Sequence, residues 1–148
     1  MKKIILIAVL IIIIAGGFIV YRMYDERTPD VVNKTPDERV EATALIAAFD
    51  QDSATARKKF LDKIVEVTGY VKRVDTTGSV ILGSEGSASE VVAGLDRRHI
   101  RDHEKIKPGM VAIVQGVCSG FTISGGEDLL ASLGTTVELR SAGIKEKK

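Results

Sequence analysis

The stretch IVEVTGYVKRV, residues 64–74, carries the strongest fold signal in the sequence. Val65, Val67 and Val71 alternate with polar residues, which predicts a β-strand with one buried face. Gly69 interrupts this strand, and a glycine inside a strand indicates a bulge or a sharp bend. We therefore expect a strongly curved strand here.

The residues that follow alternate apolar segments with turn signals. Further strands are predicted at 79–83, 90–95, 110–121 and 135–143, with a short apolar element at 129–133 before the last. The turns between them are rich in glycine, serine and proline. The highly charged stretch 96–106 predicts a short helix or turn before the longest strand. The chain from residue 64 onward therefore reads as mainly β.

Two helices are predicted before the first of these strands. Thr35 can cap a helix over 36–51, since Glu38 stands three residues later as in a capping box. Ser53 can cap a second short helix over 54–61. The apolar stripe of the first helix predicts packing against the strands.

The N-terminus predicts a membrane anchor. Residues 4–21 carry no charge and are dominated by Ile, Leu and Val. As a helix they span about 27 Å, which is enough to cross the hydrocarbon layer. The predicted organisation is an anchor at 1–24, a tether at 25–34, a domain at 35–143 and a polar tail at 144–148.

The alternative for this segment is a cleaved secretory signal, with small residues at 15–17 near the cut. The apolar run continues past that point to Tyr21, which favours an anchor. Lys2 and Lys3 directly before the run favour a cytoplasmic N-terminus. Both interpretations export the domain, and we expect a single-pass protein of the bacterial cytoplasmic (inner) membrane with an extracytoplasmic domain.

The charge and the cysteine content of the chain limit the functions and the covalent cross-links that are possible. Without Lys2, Lys3 and Arg22 the chain has 18 basic residues against 20 acidic ones, which is not the basic footprint of a nucleic-acid-binding domain. Cys118 is the only cysteine, so no intramolecular disulfide forms. Between Gly116 and Gly120 it is expected to be a small buried hydrophobe.

Five strands, a mid-strand glycine and a helical connection before the fourth strand are what a small closed Greek-key barrel requires. Lys59-Phe60-Leu61 leads into residues 64–71, and Lys107-Pro108-Gly109 precedes the run from 114 to 121. With these motifs the chain, over about 38–143, resembles the tRNA_anti-like family of bacterial OB-fold proteins. The resemblance implies an α+β, mainly β fold: a five-stranded OB-like barrel. It leaves the activity undefined, because fold alone does not carry function.

Two groups of residues are candidates for a ligand-binding face. Tyr70 lies on the outward phase of the first strand, with Lys72 and Arg73 adding positive charge beside it. The densest basic run includes Arg97, Arg98 and Arg101, which could bind an anionic lipid or polymer. The alternatives are a solvated outer strand face and a structurally passive connection.

No catalytic, metal or cofactor site is predicted. If the basic run were α-helical, His99 and His103 would share a face at i, i+4. A zinc site needs a third ligand, which the sequence does not supply. Ser124 has no supporting triad motif. The chain is therefore expected not to be an enzyme.

Three functions follow from these observations. The first is a non-enzymatic interaction module that binds a protein or a cell-envelope component, with its oligomeric state open. The second is oligonucleotide binding by the barrel, which charge and aromatic poverty oppose. The third, a haem or metal carrier with a histidine in its tail, is disfavoured because residues 141–148 contain no histidine.

Overall fold

The computed structural model describes residues 30–123 and 134–145, and residues 16–17. The predicted anchor, apart from residues 16–17, the expected element at 129–133 and the end of the tail lie outside the described residues. Among the residues that are described, no helix is both long and apolar enough to cross a membrane.

The described chain folds as six strands, two α-helices and one 3₁₀-helix. In chain order these are β1 (Glu38–Glu41), α1 (Ala42–Gln51), α2 (Ser53–Phe60), β2 (Ile64–Val74), β3 (Ser79–Leu82), β4 (Glu90–Leu95), the 3₁₀-helix (Ile100–Lys105), β5 (Val111–Thr122) and β6 (Thr136–Lys145).

Strands β2 to β6 form a closed mixed barrel. The order is β2-β3-β4-β6-β5, and β5 returns to pair with β2 along residues 64–70. The β4–β6 pair is parallel, and the other pairs of the barrel are antiparallel. Closure leaves these strands without long free edges. The predicted five-stranded, mainly β barrel is confirmed.

The barrel interior is filled by β-branched and aliphatic side chains. Val65, Val67 and Val114 are fully buried, and α1 adds Leu45 and Phe49 to the same core. The Phe49 ring stacks on Phe121 of β5, with 4.6 Å between ring centroids. Helix α1 therefore packs its apolar stripe against the strands, as predicted from its periodicity.

Gly69 has a different role from the one predicted. The register shift in β2 falls between Val71 and Arg73, so the bulge lies after Gly69. A Cβ at Gly69 would stand 2.7 Å from the Ala42 Cβ. The glycine therefore allows the start of α1 to approach the strand closely.

The predicted helix start at Thr35 and Pro36 is wrong. Glu38–Glu41 forms a strand parallel to β2, and α1 begins only at Ala42. The Asp37 carboxylate accepts a hydrogen bond from the Ile64 backbone N–H at 2.8 Å, which starts this pairing. Strand pairing with a distant segment thus outweighs the local capping preference.

The second helix is capped one residue earlier than predicted. Asp52 is its N-cap, and its carboxylate accepts the Thr55 backbone N–H at 3.0 Å. Ser53 is the first helical residue. A carboxylate at this position also interacts favourably with the positive, N-terminal end of the helix dipole.

Residues 30–34, here called the strap, were expected to be tether but pack against the barrel. Val31 and Val32 are buried, and Val32 lies against Gly143 of β6. Gln115 of β5 donates from Nε2 to the carbonyls of Val31 (2.5 Å) and Lys34 (2.7 Å). The packed domain therefore extends to Asp30.

Candidate binding groove

Strand β2 changes neighbours at Tyr70, and this change opens the surface. Up to Thr68 it pairs with β1, and from Val71 it pairs with β3. At the junction the Gly83 backbone N–H donates to the Tyr70 carbonyl at 3.0 Å. A groove of about 630 Å³ lies here, followed by a smaller recess of about 310 Å³. The groove is lined by Tyr70, Val71, Lys72, residues 83–86, Pro108 and Gly109.

Tyr70 presents its side chain to solvent, as predicted from the phase of the strand. It is 59% exposed and stands opposite Val111, which is 57% exposed. Met110 follows next to them, because its carbonyl accepts the Val71 backbone N–H at 2.8 Å. Tyr70 and Val111 form an exposed apolar patch, and a tyrosine in such a patch offers both an apolar face and a hydrogen-bonding hydroxyl.

Lys72 lines the groove, but its charge is balanced inside the domain. Its Nζ donates to the Ser87 carbonyl at 2.6 Å and lies 3.6 Å from the Glu90 carboxylate. The side chain is only 20% exposed. Lys72 therefore ties the β3–β4 loop to β2.

Arg73 is exposed and follows the register shift. It is not among the residues that line the groove, and it forms no ion pair with any residue the structure describes. Glu85 adds a negative charge to the lining. The groove itself therefore carries no surplus of positive charge.

The basic residues Arg97, Arg98 and Arg101 lie elsewhere, in the connection between β4 and β5. Arg98 binds Asp96 through two hydrogen bonds of 2.8 Å. These bonds hold the pKa of Asp96 at about 2. The six predicted ligand-binding residues thus divide between two surfaces.

The two histidines do not share a face. The segment is a 3₁₀-helix, in which side chains three residues apart eclipse. The ring of His99 lies 3.2 Å from carboxylates of both Asp30 and Asp102, whereas His103 Nδ1 contacts the Ile100 carbonyl. In the described part of the chain no three potential metal ligands cluster.

Cys118 is buried, as expected for a small hydrophobe. Burial raises the pKa of its thiol to about 11. The thiolate is the reactive form, so this cysteine is held in an inert state.

The sequence did not predict how the strap is bound. Gln115 is fully buried although it lies on the outward phase of β5, because residues 31–34 cover it. Its Oε1 accepts from Lys145 Nζ at 2.7 Å, and Lys145 also binds Glu66. A glutamine on the outward phase of the strand, between Ile113 and Val117 on that phase, was the one available signal.

A five-stranded mixed barrel with a short helix before its penultimate strand defines the chain as an OB-fold protein. The profile of the tRNA_anti-like family matches residues 1–127, and the chain belongs to this family.

Solved structures share the fold at low sequence identity. A Klebsiella pneumoniae protein described as a candidate nucleic acid-binding lipoprotein has a TM-score of 0.51 and 17% identity, over 72% of this chain and 91% of that one. A candidate aspartyl-tRNA synthetase from Leishmania major has a TM-score of 0.42 and 9% identity, over 90% of this chain and 26% of that one. The asparaginyl-tRNA synthetase of Entamoeba histolytica has a TM-score of 0.38 and 9% identity, over 77% of this chain and 25% of that one. A comparison with curated proteins finds no match.

Proposed function

We propose that the chain is a non-enzymatic binding module of the bacterial cell envelope. In this proposal residues 4–21 anchor it in the cytoplasmic membrane, and the OB barrel faces the extracytoplasmic side. The groove around Tyr70 takes an extended segment of a partner protein. The 18 uncharged residues of the N-terminal run support the anchor.

The observation that carries the proposal is the groove between β2, the start of the β3–β4 loop and the turn before β5. It is open, it contains Tyr70, which is 59% exposed, and residues 83–86 line it. Exposed Val111 extends the apolar surface beside Tyr70. Apolar side chains with an aromatic at the centre are typical of surfaces that bind protein segments.

The charge of the lining favours a protein segment over a polyanion. Lys72 is already paired with Glu90, and Glu85 is also part of the lining. A phosphate backbone entering the groove would meet no unpaired cation among the described residues that line it. Most of the affinity for nucleic acid comes from such cations.

Oligonucleotide binding is the second candidate function, and Arg73 is the residue that favours it. It is exposed, lies three residues after Tyr70 and has no ion pair within the described chain. An exposed tyrosine can stack a base while a nearby arginine binds phosphate. The chain also belongs to a family named for its likeness to anticodon-binding domains, which is consistent with oligonucleotide binding.

A photo-crosslinking experiment in cells tests the groove. A photoreactive phenylalanine analogue replaces Tyr70 in the full chain, and the matched control places it at Lys58, an exposed residue of α2. We expect one protein adduct from position 70 that is absent from position 58. Equal labelling at both positions would contradict a binding groove at Tyr70.

An anisotropy titration separates the two candidates. The purified full chain is titrated into fluorescent single-stranded oligonucleotides at low and moderate salt. We expect no binding that depends on Tyr70. Binding that weakens steeply with salt, and about 5- to 150-fold on Tyr70→Ala, would put the oligonucleotide first.

Protease treatment of intact spheroplasts tests location and orientation. We expect the domain in the membrane fraction and its loss on protease treatment, while a cytoplasmic marker survives. Protection of the domain would mean that it faces the cytoplasm. Oligonucleotide binding would then become the better-supported function.

A further inference from the structure

A second surface lies on the connection between β4 and β5, next to the groove. Residues 97–107 contain five cations, of which Arg98 and Lys105 are held by Asp96 and Asp102. The other three are exposed and form no ion pair with any residue in the described ranges. These three are Arg97, Arg101 and Lys107.

Apolar side chains accompany these cations. Ile100 is 39% exposed within the 3₁₀-helix, and Met110 is 47% exposed in the turn that follows Lys107. The Met110 backbone N–H donates to the Lys107 carbonyl at 3.2 Å, so the two residues belong to one turn. Residues 97–107 and Met110 are called the juxtamembrane face below.

The strap places the start of the described domain beside this face. Asp30 binds His99, which lies within the basic run, through contacts of 3.2 Å to Nε2. Gln115 holds the next residues of the strap on the barrel through two hydrogen bonds. The chain therefore enters the domain next to Arg97 and Arg98.

The distance to the predicted anchor is short. Eight residues, 22–29, separate the end of the anchor from the strap. Even fully extended they reach at most about 29 Å, which is comparable with the diameter of a domain of this size. The entry point of the domain therefore lies within about 29 Å of the predicted end of the anchor.

We propose that the juxtamembrane face lies on the anionic surface of the bilayer that holds the anchor. This inference rests on the membrane anchor of the proposed function. Arg97, Arg101 and Lys107 bind lipid phosphates, while Ile100 and Met110 enter the headgroup layer. The groove, lined by Pro108 and Gly109 of the adjoining turn, then opens next to the membrane surface.

The chain contains no tryptophan, so an introduced one reports on its own position. Met110→Trp places the reporter on the face, and Gln51→Trp places a matched reporter at the exposed end of α1. Each full-length variant is reconstituted into vesicles of phosphatidylcholine with about one third phosphatidylglycerol. Lipids brominated near the headgroup quench tryptophan by contact. Flotation after an alkaline wash checks the anchor in the same samples.

We expect stronger quenching of Met110→Trp than of Gln51→Trp. Adding Arg97→Gln and Arg101→Gln should weaken surface binding about 25-fold, since each cation near an anionic surface contributes about fivefold. The matched pair Lys58→Gln and Lys63→Gln, both exposed, should leave quenching unchanged. High salt should weaken surface binding in the same direction as the Arg97→Gln and Arg101→Gln substitutions, because it screens the charges.

Two results would overturn the inference. Vesicles that float with the protein but quench both reporters equally would show that the anchor holds and the face does not touch the bilayer. A chain that fails to float would refute the anchor and, with it, this use of the face. Circular dichroism of each variant establishes that the barrel is folded before the vesicle assay.

Discussion

Replacing Gln115 by leucine should release the strap from the barrel. The side chain donates to the Val31 and Lys34 carbonyls and accepts from Lys145. Leucine has a similar volume, so the strand geometry stays while all three hydrogen bonds are lost. The Val31 carbonyl then keeps only the Lys34 backbone N–H at 3.2 Å, and Lys145 keeps only Glu66.

The magnitude can be worked out from these contacts. Each of the three lost hydrogen bonds contributes about 1 kcal/mol. We expect the free energy of unfolding to fall by about 3 kcal/mol. In a domain of about 100 residues this lowers Tm by about 15 °C.

The assay is urea unfolding of the full chain in detergent, followed by circular dichroism, with hydrogen exchange at the Val32 amide. Val32→Ala provides the second arm of a double-mutant cycle, because Val32 packs on Gly143 only while the strap is docked. In the Gln115→Leu background, Val32→Ala should cost little. A loss below about 1 kcal/mol for Gln115→Leu, or full additivity of the two changes, would refute the docked strap.

Three further predictions concern single residues. Gly69→Ala should destabilise the barrel by about 2 kcal/mol through its contact with Ala42, and Ala42→Gly should recover part of this in urea unfolding; no recovery would argue against that contact. Because Arg98 lowers the folded-state pKa of Asp96 to about 2, the stabilisation from this pair is present above the ordinary pKa of about 3.9 and is lost as pH falls toward 2. The Arg98 side chain is 41% exposed, so solvent screening keeps this contribution under about 1 kcal/mol, and Asp96→Asn should remove that part of the pH dependence of unfolding. Cys118 should react with a thiol reagent only as fast as the domain unfolds, and rapid labelling of the native protein would contradict its burial.

The barrel could be predicted because apolar and polar residues alternate within its strands. In residues 64–74 alternate valines face the core, and the buried positions of the structure match that alternation at Val65, Val67 and Val71. Such a pattern depends on one face being buried and not on which strand lies beside it. The strand positions were therefore accessible from the sequence alone.

The start of α1 and the strap were not predictable in this way. The residues after Thr35 satisfy a local capping box, but Glu38–Glu41 pairs with β2 across more than twenty residues of sequence. Likewise Val31 and Val32 are two apolar residues in a polar segment, too short for any period. In both cases a contact with a distant strand decides the local conformation.

The charge available around Tyr70 was also not predictable from the sequence, because it too depends on contacts with distant residues. From the sequence, Lys72 and Arg73 are equivalent neighbours of Tyr70. In the structure Lys72 is bound to Glu90 of β4 and the Ser87 carbonyl, whereas Arg73 stays exposed. A count of basic residues near an aromatic ring therefore overstates the attraction for phosphate. The groove is a candidate binding site because of the exposed apolar surface around Tyr70. Such a surface is the reason for the proposal that its partner is a protein segment.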